Sequence, residues 1–407
     1  MTQATELRRT LSLAQVTLYG LGTTIGAGIY ALIGAVAGAA GTHAPVAFVL
    51  ASIFVAFTAL SFAEMSARYP RAAGEAEYVR QGFGSPRFGL VTGLLVVVAG
   101  LVSCGTVVNA FVGYAHEFFA VNATLAITLL IVSLAALAAW GIAQSVWVAG
   151  ALCVVEIGGL LLVVWVAGDS LGTLPERWRE LVPPAELGVW TAVFAGTFLA
   201  FYAFIGFEDM VNVAEEVKDV TRTLPRAIAL TLVLTLVLYA LVTLVCVLTL
   251  PPATLAASKA PLALVFETAL GGGSMAISAI GILALVNGAL VQMIMAARVV
   301  YGLARQGQLP AFLGAVSART QTPVRATALA AAIVLALALL WPLETLARAT
   351  SIVILCVFAA VNLALLRVKR REPAPAGILV FPAWVPAVGA LVSIGVLLLE
   401  GSRLLFT

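Results

Sequence analysis

Long apolar runs, separated by short polar connections, follow one another along almost the whole chain. The run at residues 227–250, for example, has 24 residues and no Asp, Glu, Lys, Arg or His. About 20 apolar residues are enough for a helix to cross the hydrocarbon core of a membrane. Read in this way, the chain has eleven predicted spans, at residues 14–40, 44–67, 87–115, 122–141, 145–168, 188–213, 227–250, 273–303, 324–341, 345–366 and 377–401. The pattern therefore predicts an all-α, polytopic membrane protein.

The composition of the chain excludes an ordinary soluble domain. Only 10% of its 407 residues are charged and 62% are hydrophobic, whereas soluble domains carry about 25% charged residues. The polar connections are too short for an independent core, so we expect one transmembrane domain over residues 1–407. The four cysteines lie in apolar segments without metal-ligand spacing. We predict no metal, no cofactor and no nucleic-acid partner.

Basic residues are distributed unevenly between the predicted connections. If the N-terminus lies in the cytoplasm, 17 of the 22 Lys and Arg residues fall on the cytoplasmic side and 5 on the other. Cytoplasmic connections of membrane proteins carry such an excess. We therefore expect a multi-pass protein of the cell membrane with a cytoplasmic N-terminus, and eleven crossings put the C-terminus outside.

The first predicted span contains the stretch GTTIGAGIY at residues 22–30. A glycine in a helix interior costs roughly 1 kcal/mol relative to alanine, so this cluster of glycines needs an explanation. Gly22 and Gly26 are spaced as a GxxxG pair, which lets two helices approach closely. Alternatively, the helix is interrupted here and its free backbone groups bind a ligand, which a membrane tolerates only inside protein or beside a wet cavity. The stretch alone leaves both interpretations open.

A second glycine, Gly206, lies among aromatic residues in the sixth span and is followed by Glu208 and Asp209. Ionisable residues within a span are costly and usually face a cavity or a partner. Because five spans separate the two glycine positions, the second half of the chain begins on the opposite side of the membrane. This is the arrangement of an inverted repeat, whose ligand site lies where two broken helices meet. We expect repeat one at about 14–168, repeat two at about 188–366 and one extra helix at about 377–401.

Three motifs resemble those of the amino acid–polyamine–organocation transporter superfamily. GTTIGAGIY is similar to the GxxIGxGIF motif of its first helix, and residues 204–228 (FIGFEDMVNVAEEVKDVTRTLPRAI) are similar to its sixth helix and the following loop. Residues 296–310 (AARVVYGLARQGQLP) resemble the end of its eighth helix, and the similarity covers essentially the whole chain. The resemblance implies a five-plus-five inverted-repeat fold with helices 1 and 6 broken. It also implies transport of amino acids, with one extra helix where family members often have two.

The resemblance further implies which groups hold the substrate. Backbone N–H groups at the break in helix 1 are expected to bind the α-carboxylate, at Ile25, Gly26, Ala27 and Gly28. Carbonyl groups at the break in helix 6 are expected to accept the α-ammonium group, at Ala203, Phe204 and Gly206. Tyr202 matches an aromatic gate over the substrate, with a packing or lipid-facing tyrosine as the alternative. Gln292, on the eighth span, is a further substrate-facing candidate.

Two acidic residues are candidates for coupling and gating. Glu156 lies about eleven residues into the fifth span, where a carboxyl that ionises when a cavity opens can carry a proton. Several proton-coupled relatives have a lysine at about this place, so their mechanism does not transfer, and a protonated glutamate bonded to a neighbouring helix is the alternative. Glu208 matches an acidic position common in the family and is expected to link substrate occupancy to the cytoplasmic half of the sixth helix. Its alternative is an interfacial acid paired with a loop arginine.

Sodium is the competing coupling ion, because a hard cation needs oxygen ligands. Residues 279–316 contain no Ser or Thr to supply the hydroxyl groups that the eighth helix of sodium-coupled relatives provides. Sodium is therefore disfavoured, although Glu156 would itself offer an oxygen ligand.

The sequence as a whole predicts secondary active transport of an α-amino acid by alternating access, coupled to protons. The small and aromatic residues around both glycine positions favour a small neutral substrate. An amino acid exchanger is the near alternative. A membrane-embedded enzyme is disfavoured, because His43 and His116 are the only histidines and no nucleophile–base pair appears. The expected partners are the amino acid, protons and the lipid bilayer.

Overall fold

A computed structural model describes residues 11–71, 74–116, 118, 122–140, 146–272, 275–305, 307, 309–317, 320, 322–373 and 375–406. Within these ranges the chain consists of α-helices, short 3₁₀ helices and their connections, without a β-sheet. The predicted all-α fold class is confirmed.

Fifteen α-helices, numbered in chain order, make up this part of the chain. They are α1 (Leu13–Ala40), α2 (Ala44–Arg68), α3 (Gly74–Phe83), α4 (Pro86–Ala115), α5 (Ala123–Trp140), α6 (Val146–Val166), α7 (Leu174–Leu181), α8 (Leu187–Tyr202), α9 (Val220–Thr249), α10 (Pro252–Ala257), α11 (Pro261–Leu270), α12 (Met275–Arg305), α13 (Val324–Leu340), α14 (Leu343–Arg371) and α15 (Trp384–Phe406). Four 3₁₀ helices lie between them, at Gly41–His43, Gly168–Thr173, Phe207–Glu216 and Ala311–Gly314.

The eleven predicted spans coincide with eleven of these helices, namely α1, α2, α4, α5, α6, α8, α9, α12, α13, α14 and α15. By length and composition alone, seven described helical segments are long and apolar enough to cross a membrane. The number becomes eight if the bent pair Leu152–Val166 and Gly168–Leu181 is one span. The segments Ala123–Ala139 and Val324–Leu340 are apolar but shorter. The chain is therefore a multi-pass helical membrane protein.

Helices at equivalent positions in the two halves of the chain pack against each other. The helix α1 packs against α8, α2 against α9, α4 against α12, and α5 against α13. This pairing is what a two-fold relation between the halves produces. At the centre, the rings of Phe48, Phe204 and Tyr239 stack edge to face, which brings α2, α9 and the segment after α8 together.

The sixth span is interrupted, as the sequence predicts. The helix α8 ends at Tyr202, residues 203–206 form a turn, and the chain continues as the 3₁₀ helix Phe207–Glu216. Gly206 has a φ of 124°, a conformation that residues with a Cβ rarely adopt. Glycine therefore lets the chain leave the helix at this point.

The first span is not interrupted, and the predicted break at residues 22–28 is wrong. The helix α1 is continuous from Leu13 to Ala40, so the N–H groups of its interior are engaged in helical hydrogen bonds. The physical reason is that α1 uses its glycines for close contact. A Cβ built on Gly20 would lie 2.4 Å from the Sδ of Met210, and one built on Gly28 would lie 2.4 Å from the Cα of Ala203. At Gly28 the structure therefore supports close packing rather than a break.

Candidate functional site

The helix α1 and the turn after α8 interlock through one glycine on each side. Gly28 of α1 leaves room for the backbone of Ala203, and Gly206 of the turn leaves room for the carbonyl oxygen of Thr23, which would lie 2.2 Å from a Cβ at that position. The Thr23 hydroxyl donates a hydrogen bond to the carbonyl oxygen of Gly206, over 2.9 Å. The two segments therefore approach this closely only because each has a glycine, without a side chain, at its point of contact.

A buried tyrosine of α9 completes this contact. The Tyr239 hydroxyl lies 2.9 Å from the carbonyl oxygen of Thr24, 3.0 Å from that of Ala203 and 3.3 Å from that of Ile25. A hydroxyl has one proton to donate, so the three carbonyl oxygens share it. Tyr239 thus binds α1 and the turn at the same point.

A cavity of about 30 Å³ lies beside the interlocked segments, which is room for about two water molecules. Residues from α1, α4, α12 and the end of α8 with its turn enclose it. Its lining consists of Gly22, Thr23, Thr24, Gly28, Ser103, Val107, Tyr202, Ile205, Gly288, Val291 and Gln292. This lining contains no charged side chain.

Several polar groups face or border this cavity. The Tyr202 hydroxyl lies 2.8 Å from the Oγ of Ser103 on α4, where either atom can donate. The Thr24 hydroxyl is buried and has no hydrogen-bond partner. Gln292 packs over Gly100, because a Cβ built on that glycine would lie 3.1 Å from the Oε1 of Gln292. The cavity therefore offers hydroxyl and amide groups in a buried, uncharged setting.

The predicted substrate-binding residues divide into two groups. Gly28, Tyr202 and Gln292 line the cavity. Ile25, Ala203, Phe204 and Gly206 lie in or next to the interlocked segments without lining it. For Gly26 and Ala27 the structure describes the helical backbone alone.

Most of the backbone groups expected to hold the substrate already have partners in this conformation. The N–H groups of Ile25, Gly26, Ala27 and Gly28 belong to α1. The carbonyl oxygen of Ala203 accepts from Tyr239, and that of Gly206 accepts from Thr23. A substrate that used these groups would have to replace existing hydrogen bonds.

The sequence interpretation missed most of the side chains around the cavity. Thr23 and Thr24 stand inside the motif that was noticed for its glycines, and two adjacent threonines in an apolar helix are themselves a signal. Ser103 on α4 reads as an ordinary packing residue, because nothing in the sequence shows that it lies opposite Tyr202. Val107, Ile205, Gly288 and Val291 carry no signal that separates them from the rest of the apolar spans.

Glu156 lies apart from the cavity lining, in α6, with only 1% of its surface exposed. The side-chain amide of Asn287 on α12 donates to its Oε1 over 3.4 Å, while its Oε2 has no hydrogen-bond partner. The Tyr30 hydroxyl of α1 donates to its backbone carbonyl oxygen over 2.9 Å. This acid therefore contacts the two helices, α1 and α12, that also line the cavity.

The side chain of Glu208 binds the last residue of the turn, Gly206. Its Oε2 accepts a hydrogen bond from the backbone N–H of Gly206 over 2.8 Å, and the side chain is buried. Within the described ranges it forms no ion pair with an arginine. The carboxyl group thus binds a backbone N–H group at the point where the helix is interrupted.

Comparison with known proteins gives a family match along almost the whole chain. Residues 11–403 match the family model described as amino acid permease. An uncharacterized transporter of Mycobacterium tuberculosis is 32% identical over 371 residues, which are 91% of this chain and 82% of that protein. The branched-chain amino acid permease BcaP of Bacillus subtilis is 26% identical over 390 residues, with 90% of this chain and 82% of BcaP covered.

Two further comparisons extend this picture. The vacuolar cationic amino acid transporter 4 of Arabidopsis thaliana is 27% identical over 393 residues, covering 90% of this chain and 64% of that protein. Among solved structures, MhsT in complex with L-phenylalanine superimposes with a TM-score of 0.62 at 15% identity, over 96% of this chain and 99% of MhsT. The chain shares the inverted-repeat transporter fold of MhsT.

Proposed function

The chain belongs to the amino acid permease family, and on this premise we propose that it carries an α-amino acid across the cell membrane by secondary active transport. The observation that carries the proposal is the buried cavity beside the turn at residues 203–206, where an interrupted helix meets α1. A ligand held near such a break, between two halves of a chain, is typical of secondary transporters.

We further propose that residues 1–407 form one transmembrane domain with repeat one at about 14–168, repeat two at about 188–366 and an extra helix at about 377–401. The pairwise packing of equivalent helices supports this division. The excess of basic residues in alternate connections supports a cytoplasmic N-terminus and an external C-terminus.

The lining of the cavity supports a small neutral substrate. It contains glycines, short hydroxyl side chains, aliphatic residues and one glutamine, without an acid to meet a cationic side chain. The Thr24 hydroxyl is free to donate to a substrate carboxylate, and Gln292 and Tyr202 face the same space. The relatives include proteins named for branched-chain and for cationic amino acids, so the lining is the stronger guide.

Alternating access is supported by the size of the cavity. Space for about two water molecules is less than an amino acid needs. Substrate entry therefore requires that α1 and the turn move relative to α4 and α12. The contact of Thr23 with Gly206 and that of Tyr239 with three carbonyl oxygens are the bonds that such a movement would rearrange.

We propose Glu156 as the group that couples transport to protons. Its unpartnered Oε2 is buried beside Asn287, and its backbone is bonded to α1 through Tyr30. If movement of α1 or α12 admits water from the cytoplasmic side, the carboxyl group releases its proton to that water, and it takes up a proton from external water when the movement reverses. Glu208 is proposed as the gating acid, because it holds the N–H of Gly206.

The test is uptake of labelled neutral amino acids into proteoliposomes with and without an inward pH gradient. We expect the gradient to accelerate uptake by wild-type protein, and Glu156→Gln to abolish the acceleration while exchange of internal for external substrate continues. The exposed acid Glu267 of α11 provides the matched control, so Glu267→Gln should behave as wild type.

Uptake that responds to a sodium gradient and ignores the pH gradient would contradict proton coupling. Strong stimulation by internal substrate with little net flux would identify an exchanger instead. If no amino acid is transported under any gradient, the proposed function itself fails.

A further inference from the structure

Three buried carboxyl groups lie in two contacting elements beyond the turn, and none of them lines the cavity. Glu208 and Asp209 are in the first turn of the 3₁₀ helix Phe207–Glu216, and Glu75 is in the first turn of α3. The three residues are 4%, 8% and 3% exposed, respectively. The two elements are in direct contact, because a Cβ built on Gly74 would lie 2.3 Å from the Cγ2 of Val211.

Another buried acid of the chain, Glu64, has the charged partners that the three acids of this cluster lack. Glu64 of α2 is fully buried, and both its carboxylate oxygens lie 2.6 Å from the Nζ of Lys369. Its Oε1 also accepts from Arg68, and its Oε2 accepts from the N–H of Phe381. The charged and hydrogen-bonding partners of this buried carboxylate are thus supplied by the protein itself.

The acids of the cluster have no such partners. Within the described ranges none of them forms an ion pair with Lys, Arg or His. The Oε1 of Glu75 and the Oδ2 of Asp209 are buried without a hydrogen-bond partner. The Tyr78 hydroxyl of α3 is fully buried and has no hydrogen-bond partner either. Among the neighbouring charges, that of Glu75 has the largest electrostatic effect on this hydroxyl.

Neighbouring charges do not supply the missing counter-ion. The charge of Asp209 acts on the Tyr19 hydroxyl of α1, and so do the charges of Arg298 on α12 and of Glu216 at the end of the 3₁₀ helix. On α3 the other acid near Tyr78 is Glu77, which pairs with Arg80. Two carboxyl groups that share a buried site cannot both ionise cheaply, so one of them keeps its proton.

The environment of Glu75 agrees with this reasoning. Burial raises the pKa of its carboxyl group from an ordinary 4.5 to about 8; a backbone hydrogen bond opposes this shift, and the charge of Asp209 adds to it. An isolated ionised carboxylate in a dry contact is costly, and protonation is the direct way to avoid that cost.

We propose that Glu75, Glu208 and Asp209 form a proton-binding site, separate from Glu156, which holds at least one shared proton while α3 is packed on the 3₁₀ helix. Release of this proton to water leaves unpaired negative charges in the contact, and α3 then separates from the 3₁₀ helix to hydrate them. Because Glu208 also binds the N–H of Gly206, the site is connected to the interrupted helix. The proposal goes beyond the proposed function and does not require that transport itself is coupled to protons.

Infrared difference spectroscopy of the purified protein, between about pH 6 and about pH 9, tests the proposal without any transport. Wild-type protein should lose a carbonyl stretching band of protonated carboxyl groups as the pH rises. Glu75→Gln and Asp209→Asn should each lose a large part of this change, and Glu75→Asp should retain it. Glu77→Gln, on the same helix and normally paired with Arg80, should give the wild-type spectrum.

Thermal unfolding over the same pH range provides a second measurement. Since Glu75 binds its proton more tightly in the folded state, the folded state loses stability as the pH rises from about 4.5 towards about 8 and above. We expect the Tm of the wild type to fall over this range, and the Tm of Glu75→Gln to fall less.

Glu156 is expected to contribute to the same infrared band. The spectrum of Glu156→Gln identifies this contribution, which is then subtracted from the wild-type change. Spectra of Glu75→Gln and Asp209→Asn that match the wild type would overturn the proposal. A wild-type band that changes with sodium or potassium concentration at fixed pH would also overturn it, because the cluster would then bind a metal cation. Proton release that leaves hydrogen exchange of residues 74–83 unchanged would contradict the separation of α3.

Discussion

Two glycine-bearing regions face each other in this structure, and they use glycine for different purposes. At Gly28 the backbone is an ordinary helix, and the missing side chain makes room for Ala203. At Gly206 the backbone itself has a φ of 124°, and the missing side chain also makes room for Thr23. One region needs glycine for its size alone, and the other needs it for both size and conformation.

The difference explains why one predicted break is present and the other is absent. A glycine that serves only close packing leaves the helical hydrogen bonds intact, whereas a positive φ cannot be part of an α-helix. A glycine in an apolar span therefore indicates a close contact more reliably than an interruption. The additional signal at Gly206 is the acid two residues later, whose side chain accepts the N–H that the break leaves free.

The strongest test of this contrast is Gly206→Ala. Alanine at this position is strained because it would have to adopt a positive φ. In addition, its Cβ would lie 2.2 Å from the carbonyl oxygen of Thr23, which is a backbone atom and cannot rotate away. We expect a destabilisation of about 3–5 kcal/mol, seen as a large drop in Tm in detergent and loss of uptake. The matched control is Gly377→Ala, where φ is 80° but nothing lies within 4 Å, so about 1–2 kcal/mol of strain alone is expected. Equal effects at both positions would show that the contact with Thr23 does not matter.

A smaller effect is expected for Gly28→Ala, where only the steric part applies. The Cβ would lie 2.4 Å from the Cα of Ala203, and overpacking of this kind costs about 1–3 kcal/mol. Gly158 of α6 is the control, because nothing lies within 4 Å of its Cβ position, and alanine there should be neutral or stabilising by up to about 1 kcal/mol. The measurement is again Tm, together with uptake. A Gly28→Ala protein as stable as the control would mean that the helix and the turn have room to separate.

The smallest effect is expected for Tyr239→Phe, which keeps the ring contacts with Phe48 and Phe204 and removes only the hydroxyl. Three carbonyl oxygens lose a donor whose single proton they share, so the cost is that of about one hydrogen bond, about 0.5–1.5 kcal/mol. If the Tyr239 hydroxyl stabilises the closed arrangement of α1 and the turn, the rate of amino acid exchange should change by more than the change in Tm suggests. Thr249→Ser, which retains the hydroxyl bonded to the helix backbone, is the control on the same helix and should change neither.

The sequence was sufficient for the fold because eleven apolar runs and the bias of basic residues are global patterns. Three of the residues that it predicts to bind substrate, Gly28, Tyr202 and Gln292, line the cavity. It could not reveal that α1 remains helical, since close packing and unwinding both select glycine. It could not identify Ser103 either, because the pairing of this residue with Tyr202 joins positions 99 residues apart in the chain.

The sequence suggests a partner for Glu64, because Arg68 stands one helical turn later, and the structure contains this ion pair. It does not suggest the second partner, Lys369, which is more than 300 residues away from Glu64 and yet bonds to it. Nor does it show that Glu75 is buried without an ion-pair partner among the described residues. Charge pairing across the fold is thus only partly visible in the local sequence.

The small volume of the central cavity has a consequence for the membrane as a whole. A chamber with space for about two water molecules cannot sustain a wire of water through which protons or salt ions hop from one bulk phase to the other. In this state the cavity itself therefore offers no continuous path along which protons or salt ions could leak from one side of the membrane to the other.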